Sequence, residues 1–316
     1  MVFIEYPLDQ LIEFGLSVLV ADSEQSRART VPTAPVGVAV WLAAAAMTSV
    51  QLGAALSTSL FRIVGPAGTA WLRLCWAAVV LLAVARPRLA GRPAADLGVA
   101  ATLGAVSGTM TLCYFEAVAR VPLGTATALE FLGPLTVAML GLRKRADLVW
   151  PACAAAGVLA LTRPWTGEVD LAGVAFGLAA GGGWGCYIVL TQRVGDRFPG
   201  LQGLAVSMTS AAVCTAVAGL PAVADAITVR NLPHVLLVSL AVAMLLPVLP
   251  YAFEMAALRR LTTVAFSTLM SLEPAIGTVI GLVVLAQRPS AAQAAGIALV
   301  TAAGMGAARL GGRPMG

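Results

Sequence analysis

The chain has 316 residues, of which 59% are hydrophobic and only 11% are charged, and its mean hydropathy is +0.90. A soluble domain carries about 25% charged residues, so this composition excludes a soluble globular protein, whose surface it could not cover. The net charge of +5 does not indicate a nucleic-acid partner, because the basic residues lie mainly in short loops between apolar segments. The composition predicts a polytopic membrane protein.

Residues 1–35 differ from the rest of the chain and are predicted to form an N-terminal cytoplasmic tail. Acidic residues occur five times in the first 24 positions, so the positive n-region of a signal peptide is lacking. Its apolar residues would line one face of an amphipathic helix on the membrane. The alternative interpretation is an unstructured tail, or a start codon placed too early.

Ten apolar segments follow the tail, and most approach the ~20 residues that a helix needs to cross a bilayer. Fourteen of the twenty Lys and Arg residues fall on one side of these spans and five on the other, while Arg73 lies inside the second span. By the positive-inside rule both termini are predicted to be cytoplasmic. The predicted transmembrane helices are residues 36–57, 67–85, 96–117, 122–141, 148–162, 171–191, 201–220, 234–256, 261–283 and 291–308.

Two stretches of the sequence repeat at a constant offset of 140 residues. The segment AVARVPLGTATALEFLGP, which ends at Pro134, aligns without gaps with ALRRLTTVAFSTLMSLEP, which ends at Pro274. Glu130 lies four residues before its proline, and Glu273 lies one residue before its own. The two carboxylates are therefore three positions apart, on nearly the same face of equivalent helices.

The repeat also indicates a fold class. Ten spans in two copies give five helices per copy, and because five is odd the second copy must enter the membrane upside down. Arg120 falls on the outer side, whereas its counterpart Arg260 falls on the inner side. Inverted repeats are typical of secondary transporters, whose substrate site lies near the midplane at the repeat interface. We predict an all-α polytopic membrane protein with two inverted five-helix repeats, at 36–165 and 170–309.

Glu130 and Glu273 are the first candidates for a site at that interface. A carboxylate in the middle of a membrane helix costs roughly 2.5–3.5 kcal/mol on insertion scales, so both should face the bundle interior. Pro134 and Pro274 are each predicted to break a helix, because each removes a backbone donor. The carbonyl that is left free must be satisfied by protein or by cavity water. The pattern predicts a polar pocket between the fourth and ninth spans. The alternative is that the glutamates only bond neighbouring helices.

Arg73 is the one basic residue within the spans, and it is either a partner in a structural ion pair or a clamp for a substrate carboxylate. Trp184, Tyr187 and Tyr251 are candidates for the walls of the pocket, although aromatic residues in spans more often pack or lie at the membrane interface.

Two further patterns concern helix packing and bending. Pro247 and Pro250 predict a kink or break in the eighth span, which would suit a gate. In the sixth span glycine recurs at every fourth residue, a spacing that lets two helices approach closely, and we predict a packing seam there. The glycines are Gly173, Gly177, Gly181 and Gly185.

Stretches in both repeats carry a family resemblance, namely LFRIVGPAGTAWLRL (60–74), VPLGTATALEFLGPL (121–135), GGGWGCYIVLTQRVG (181–195) and LPYAFEMAALRRLTTVAFSTLMSLEPA (249–275). Through them the chain resembles the drug/metabolite transporter superfamily, with two EamA-type repeats, and within it the threonine/homoserine exporter group. It departs from the family at Ala286-Gln287, where the family commonly has Gly-Glu.

The resemblance implies export of threonine, homoserine and similar small amino acids across a bacterial inner membrane. The residues agree with this, since a zwitterion needs an anion for its ammonium group and a donor for its carboxylate. The chain has no GxxxxGK[ST] motif, so a gradient must supply the energy. A proton is the favoured coupling ion, because a buried carboxyl group can exchange a proton for substrate.

Other functions stay open at this point. Export of another solute, such as an aromatic amino acid, a purine or a toxic amphiphile, is one alternative, and a membrane scaffold that transports nothing is another. An intramembrane enzyme is disfavoured, because the spans contain no histidine cluster, no GxSxG and no paired aspartates. The single histidine, His234, predicts neither a metal site nor a cofactor. A homodimer is compatible with the sequence.

Overall fold

The computed structural model describes residues 36–139, 148–162, 170–199, 201–258, 261 and 263–311, and every regular element within these ranges is helical. The predicted N-terminal tail lies outside the described residues. The helices are α1 (Val36–Ala85), α2 (Ala94–Val118), α3 (Leu123–Met139), α4 (Val149–Thr162), α5 (Leu171–Gly195), α6 (Gln202–Ala226), α7 (Leu232–Ala243), a π-helical turn (Met244–Val248), α8 (Leu249–Leu258), α9 (Thr263–Met270), α10 (Glu273–Leu285) and α11 (Ala291–Gly311).

The surface of the bundle is apolar and its interior contains polar side chains. Val217 is 85% exposed and Val283 is 73% exposed, whereas Gln51 and Thr127 are each 1% exposed. Six helical stretches of the described chain are long and apolar enough to cross a membrane. The bilayer core offers no hydrogen-bond partners, so a protein in lipid has apolar side chains outside and polar side chains inside. This bundle has that arrangement.

The first of these stretches, Gly37–Ala85, has 49 residues and would be about 74 Å long if it were straight. That length is more than twice the ~30 Å hydrocarbon core of a bilayer. The helix is interrupted at Gly65, whose φ of 67° and ψ of 171° are nearly reserved for glycine, and Pro66 follows. We call residues 36–64 the first arm and residues 66–85 the second arm.

The first arm runs antiparallel to α7 and the π-helical turn. Gly53, in the middle of the arm, lies against Leu245 in the turn. Val64, at the end of the arm, belongs to the same buried cluster as Val235 near the start of α7. Residue numbers therefore rise along the arm as they fall along its partner.

The second arm runs antiparallel to α6. Gly68 lies against Val223 near the end of α6, while Leu81 belongs to the same buried cluster as Ala205 near its start. Because the short connection 227–231 turns α6 back into α7, the two arms of α1 also run in opposite directions. The arms correspond to the predicted first and second spans, and the first arm is longer than the predicted 36–57.

The predicted eighth span contains a π-helical turn, and the predicted ninth span is interrupted. The eighth is observed as α7, the π-helical turn that contains Pro247, and α8, in which Pro250 is the second residue. The ninth is observed as α9 and α10, separated by a two-residue turn, with Pro274 as the second residue of α10. Each of these three prolines thus lies at or next to an irregular turn.

The helix break that was predicted at Pro134 is not observed. Pro134 lies inside α3, which remains helical to Met139. A proline within a helix removes the hydrogen bond to the carbonyl four residues earlier, here the carbonyl of Glu130, but does not end this helix.

The predicted glycine seam of α5 packs against α3. A Cβ on Gly177 would lie 2.9 Å from the Cβ of Leu129, and one on Gly181 would lie 3.0 Å from the carbonyl oxygen of Glu130. From the opposite side, a Cβ on Gly133 of α3 would overlap the carbonyl oxygen of Gly181. The prediction of a seam is confirmed, and the two backbones meet directly behind Glu130.

We predict that Gly133→Ala destabilises the protein by about 1–3 kcal/mol, the usual cost of overpacking, because the added methyl group meets backbone rather than a movable side chain. Gly182→Ala is the matched control, since this α5 glycine lies beside the seam and has nothing within 4 Å of its Cβ position. Thermal unfolding of detergent-purified protein should have a lower midpoint for Gly133→Ala alone. A midpoint lowered in both variants, or in neither, would contradict the seam.

Candidate functional site

Glu273 is the first residue of α10, and it lies in the interior with 5% of its surface exposed. Its Oε1 accepts a hydrogen bond from Nε2 of Gln51 at 3.3 Å. Its Oε2 is buried and has no hydrogen-bond partner among the described residues. A buried acceptor without a partner is costly, so a proton or a ligand donor is favoured at Oε2.

A chain of buried polar side chains extends from Glu273 through three other helices. Oε1 of Gln51, in the first arm of α1, is 3.1 Å from the hydroxyl group of Thr127 in α3, which donates to it. The hydroxyl oxygens of Thr127 and Tyr114, in α2, are 3.1 Å apart. Glu273 is therefore connected to α1, α3 and α2 by side chains that are all buried.

Arg73, in the second arm of α1, directs its guanidinium group into the same interior. Its Nη2 donates to Oγ1 of Thr111 at 2.6 Å, and its Cζ lies 5.7 Å from the centre of the Phe115 ring. Its Nε is buried without a hydrogen-bond partner among the described residues. No described carboxylate oxygen lies within 4.0 Å of the guanidinium nitrogens. Arg73 therefore forms no direct ion pair with the described residues.

Glu130, on α3, is the third charged residue of this group. This half-buried side chain interacts with the like charge of Glu273 and with the opposite charge of Arg73. Three of the predicted site residues, one on α3, one on α10 and one on α1, therefore interact electrostatically.

Several polar residues of this interior were not among the sequence candidates. Glu254, in α8, interacts electrostatically with Glu273, and it was missed because it lies near the end of a predicted span. Gln51, Thr127 and Tyr114 were missed because single hydroxyl and amide groups are common in apolar helices. An amide in the middle of an apolar span is the one local signal that would have identified Gln51.

The three candidate aromatic residues do not form one wall. Trp184 packs edge-on against Phe131, with ring centroids 6.3 Å apart, within an apolar cluster of α3, α4 and α11. Tyr187 packs beside a different apolar cluster and also interacts electrostatically with Arg73. The side chain of Tyr251 lies outside the described residues. Of the described pair, Tyr187 is the one associated with a charged site residue.

Gln287, at the position where the chain departs from the family pattern, supports α3. Its Oε1 accepts a hydrogen bond from the backbone N–H of Leu123, the first residue of α3, at 2.9 Å. The preceding residue, Ala286, has a φ of 55°, a left-handed conformation that favours glycine. The common Gly-Glu would fit this turn without strain, and its glutamate would retain an acceptor at the helix N-terminus.

An apolar exterior around a charged and hydrogen-bonded interior defines the protein as a multi-pass membrane protein. Residues 171–307 match the EamA-like transporter family. The threonine/homoserine exporter RhtA of Salmonella typhimurium (strain SL1344) is 37% identical over 278 residues, which cover 86% of this chain and 92% of that protein. RhtA of Escherichia coli (strain K12) has the same identity and coverage. The chain therefore belongs to the EamA-like transporter family, within the drug/metabolite transporter superfamily.

The family membership confirms the predicted resemblance and the prediction that the protein is a transporter rather than an enzyme. A crystal structure of a protein that is 20% identical superposes with a TM-score of 0.56, covering 86% of this chain and 96% of the other. At that identity the likeness shows the fold alone.

Proposed function

We propose that the protein is a secondary transporter that exports small amino acids such as threonine and homoserine across a bacterial inner membrane. The observation that carries this proposal is a pair of buried groups of opposite charge, Nε of Arg73 and Oε2 of Glu273, for which the described part of the chain supplies no hydrogen-bond partner. A zwitterion has a carboxylate for the first group and an ammonium group for the second. Charge-assisted hydrogen bonds of this kind are roughly twice as strong as neutral ones.

The substrate class is also favoured by what the interior lacks. Arg73 is the only Lys or Arg within the predicted spans, so a substrate with several phosphate groups would have too few cationic partners. The relatives named above are exporters of threonine and homoserine, which are small hydroxylated zwitterions. We take the same substrates as the first candidates for this chain.

Alternating access at the interface of two inverted repeats, 36–165 and 170–309, is the mechanism that we propose. Inversion requires equivalent helices to run in opposite directions. The second arm of α1 is antiparallel to α6, as described above. Among other pairs, Gly124 of α3 lies against Thr278 of α10, while Leu123 lies against Gly281 further along that helix. α3 and α10 are therefore antiparallel as well, which supports the proposal.

The fifth and tenth spans give the same support. Gly157 of α4 contacts Gly296 of α11, and Trp150, earlier in α4, contacts Gly306, later in α11. The helices α3 and α9 begin at Leu123 and Thr263, which are separated by the same 140 residues as the sequence repeat. Both observations support the proposed inversion.

Contacts between the proposed repeats join the loops at the end that the positive-inside rule assigns to the cytoplasm. Arg197, after α5, forms an ion pair with Asp96 of α2 at 3.1 Å. Arg92, before α2, stacks on Phe198 with its Cζ 4.4 Å from the ring centre. Such contacts would have to open and close in an alternating-access cycle, and cytoplasmic termini follow from the same orientation.

The central prediction concerns the carboxylates. Glu273→Gln and Glu130→Gln should each lower threonine and homoserine export at least about 10-fold, because each replaces a charged partner of the ammonium group by a neutral amide. The measurement is efflux of preloaded amino acids from cells with equal membrane levels of each variant.

Glu116→Gln is the matched control for this experiment, because Glu116 pairs with Arg120 at the end of α2 rather than in the interior. Its export rate should match the wild type. If the wild type moves neither amino acid, the proposed substrates are wrong. If the wild type is active and both interior variants match it, the glutamates only support the fold.

Proton coupling gives a separate prediction. In proteoliposomes, an imposed pH gradient should drive threonine accumulation against its concentration gradient, because a buried carboxyl group can carry either a proton or the substrate ammonium group. Adding a protonophore should abolish accumulation, whereas dissipating the membrane potential alone should leave part of it. If threonine accumulation were unchanged after the pH gradient had collapsed, coupling to protons would be excluded.

A further inference from the structure

Gln51, in the first arm of α1, lies in a buried site formed with residues of α2, α3 and α10. Its side chain lies between Thr127 and Glu273, and it is 1% exposed. Gly277, one turn after Glu273 on α10, provides the space. A Cβ at that position would lie 2.8 Å from Oε1 of Gln51 and 3.1 Å from Oγ1 of Thr127. Any larger residue at 277 would displace the amide, so the site is built around it.

The direction of the hydrogen bonds fixes what Gln51 offers to Glu273. An amide has an acceptor oxygen and a donor nitrogen. Here the Thr127 hydroxyl group donates to the amide oxygen at 3.1 Å and to the Leu123 carbonyl oxygen of its own helix at 2.9 Å, as a three-centre bond, and the amide nitrogen faces Oε1 of Glu273. The Tyr114 hydroxyl group, 3.1 Å from that of Thr127, completes the chain. Oε1 of Glu273 is thereby held as an acceptor, and only Oε2 is available for a proton or a ligand.

We propose that Gln51 is a positioning residue, held in place by Thr127 and Tyr114, that orients Glu273 and stabilises its charged form so that exchange takes place at Oε2. The proposal rests on the proposed function for the meaning of that exchange, but the hydrogen-bond chain is a property of the protein itself. The other ionisable groups that interact with Glu273 are Glu254 on α8, Glu130 on α3 and Tyr114 on α2. None of these is altered in the variants below.

The test uses the pH dependence of carbodiimide labelling, which occurs at protonated carboxyl groups and requires no transport. Purified protein is treated with dicyclohexylcarbodiimide over a range of pH, and modification of Glu273 is measured by mass spectrometry. Gln51→Met keeps the length of the side chain but removes the donor. Loss of a hydrogen bond to a charged group should move the pH of half-maximal labelling upward by about one to two units.

Two further variants separate positioning from mere packing. Thr127→Val should shift the labelling in the same direction by a smaller amount, because it removes the hydroxyl group that orients Gln51, and Thr127→Ser should restore the wild-type profile. Ser57→Ala is the control, since Ser57 is buried in the same arm of α1 but its hydroxyl group donates to its own helix, at the Ala54 carbonyl. It should leave the profile unchanged.

Export measured over the same pH range distinguishes this inference from the proposed function. If the wild type exports neither amino acid but Gln51→Met shifts the labelling of Glu273, the proposed substrates fail and the positioning role stands. If Gln51→Met leaves the labelling profile of Glu273 unchanged, the positioning role is overturned, whatever the effect on export. A shift as large in Ser57→Ala as in Gln51→Met would overturn it as well.

Discussion

Charged side chains lie in the middle of this bundle, and the cost of keeping them away from lipid governs how the surrounding helices pack. A charge at the centre of a bilayer costs about 2.5–3.5 kcal/mol on insertion scales. Arg73, Glu130 and Glu273 all face the interior, but Nε of Arg73 and Oε2 of Glu273 have no hydrogen-bond partner among the described residues. Gln51 covers one oxygen of Glu273, and Thr111 takes one nitrogen of Arg73. A zwitterion would supply a carboxylate for Nε of Arg73 and an ammonium group for Oε2 of Glu273.

Helix α3 is the element on which both sides of this arrangement depend. The glycines of α5 contact its backbone behind Glu130, and Thr127 near its first turn contacts the chain that reaches Glu273. Gln287 accepts the N–H of its first residue. Because Glu130 and Glu273 are carried by equivalent helices of the two proposed repeats, a movement of one repeat against the other would alter the distance between the carboxylates. In the proposed cycle, this change in distance would link substrate binding to the opening of the site on one side of the membrane.

Periodicity and composition predicted the helical elements, the glycine seam and the inward placement of the glutamates, because each depends on a property of one helix. The chain from Gln51 to Tyr114 joins residues far apart in sequence, and only the packed helices bring them together. Trp184 lies on α5, the helix whose glycines pack against α3, but its ring packs in an apolar cluster. Pro134 left α3 helical because losing one backbone hydrogen bond does not end a well-packed helix.

Ligand binding by the purified wild-type protein and by Arg73→Gln tests most directly whether the interior charges bind a zwitterion. Threonine and threonine methyl ester differ only in the carboxylate that Arg73 is expected to bind. We expect the wild type to bind threonine at least about 10-fold more tightly than the ester, and we expect Arg73→Gln to lose this preference. Equal binding of the two compounds by the wild type, or a preference that survives in Arg73→Gln, would contradict this expectation.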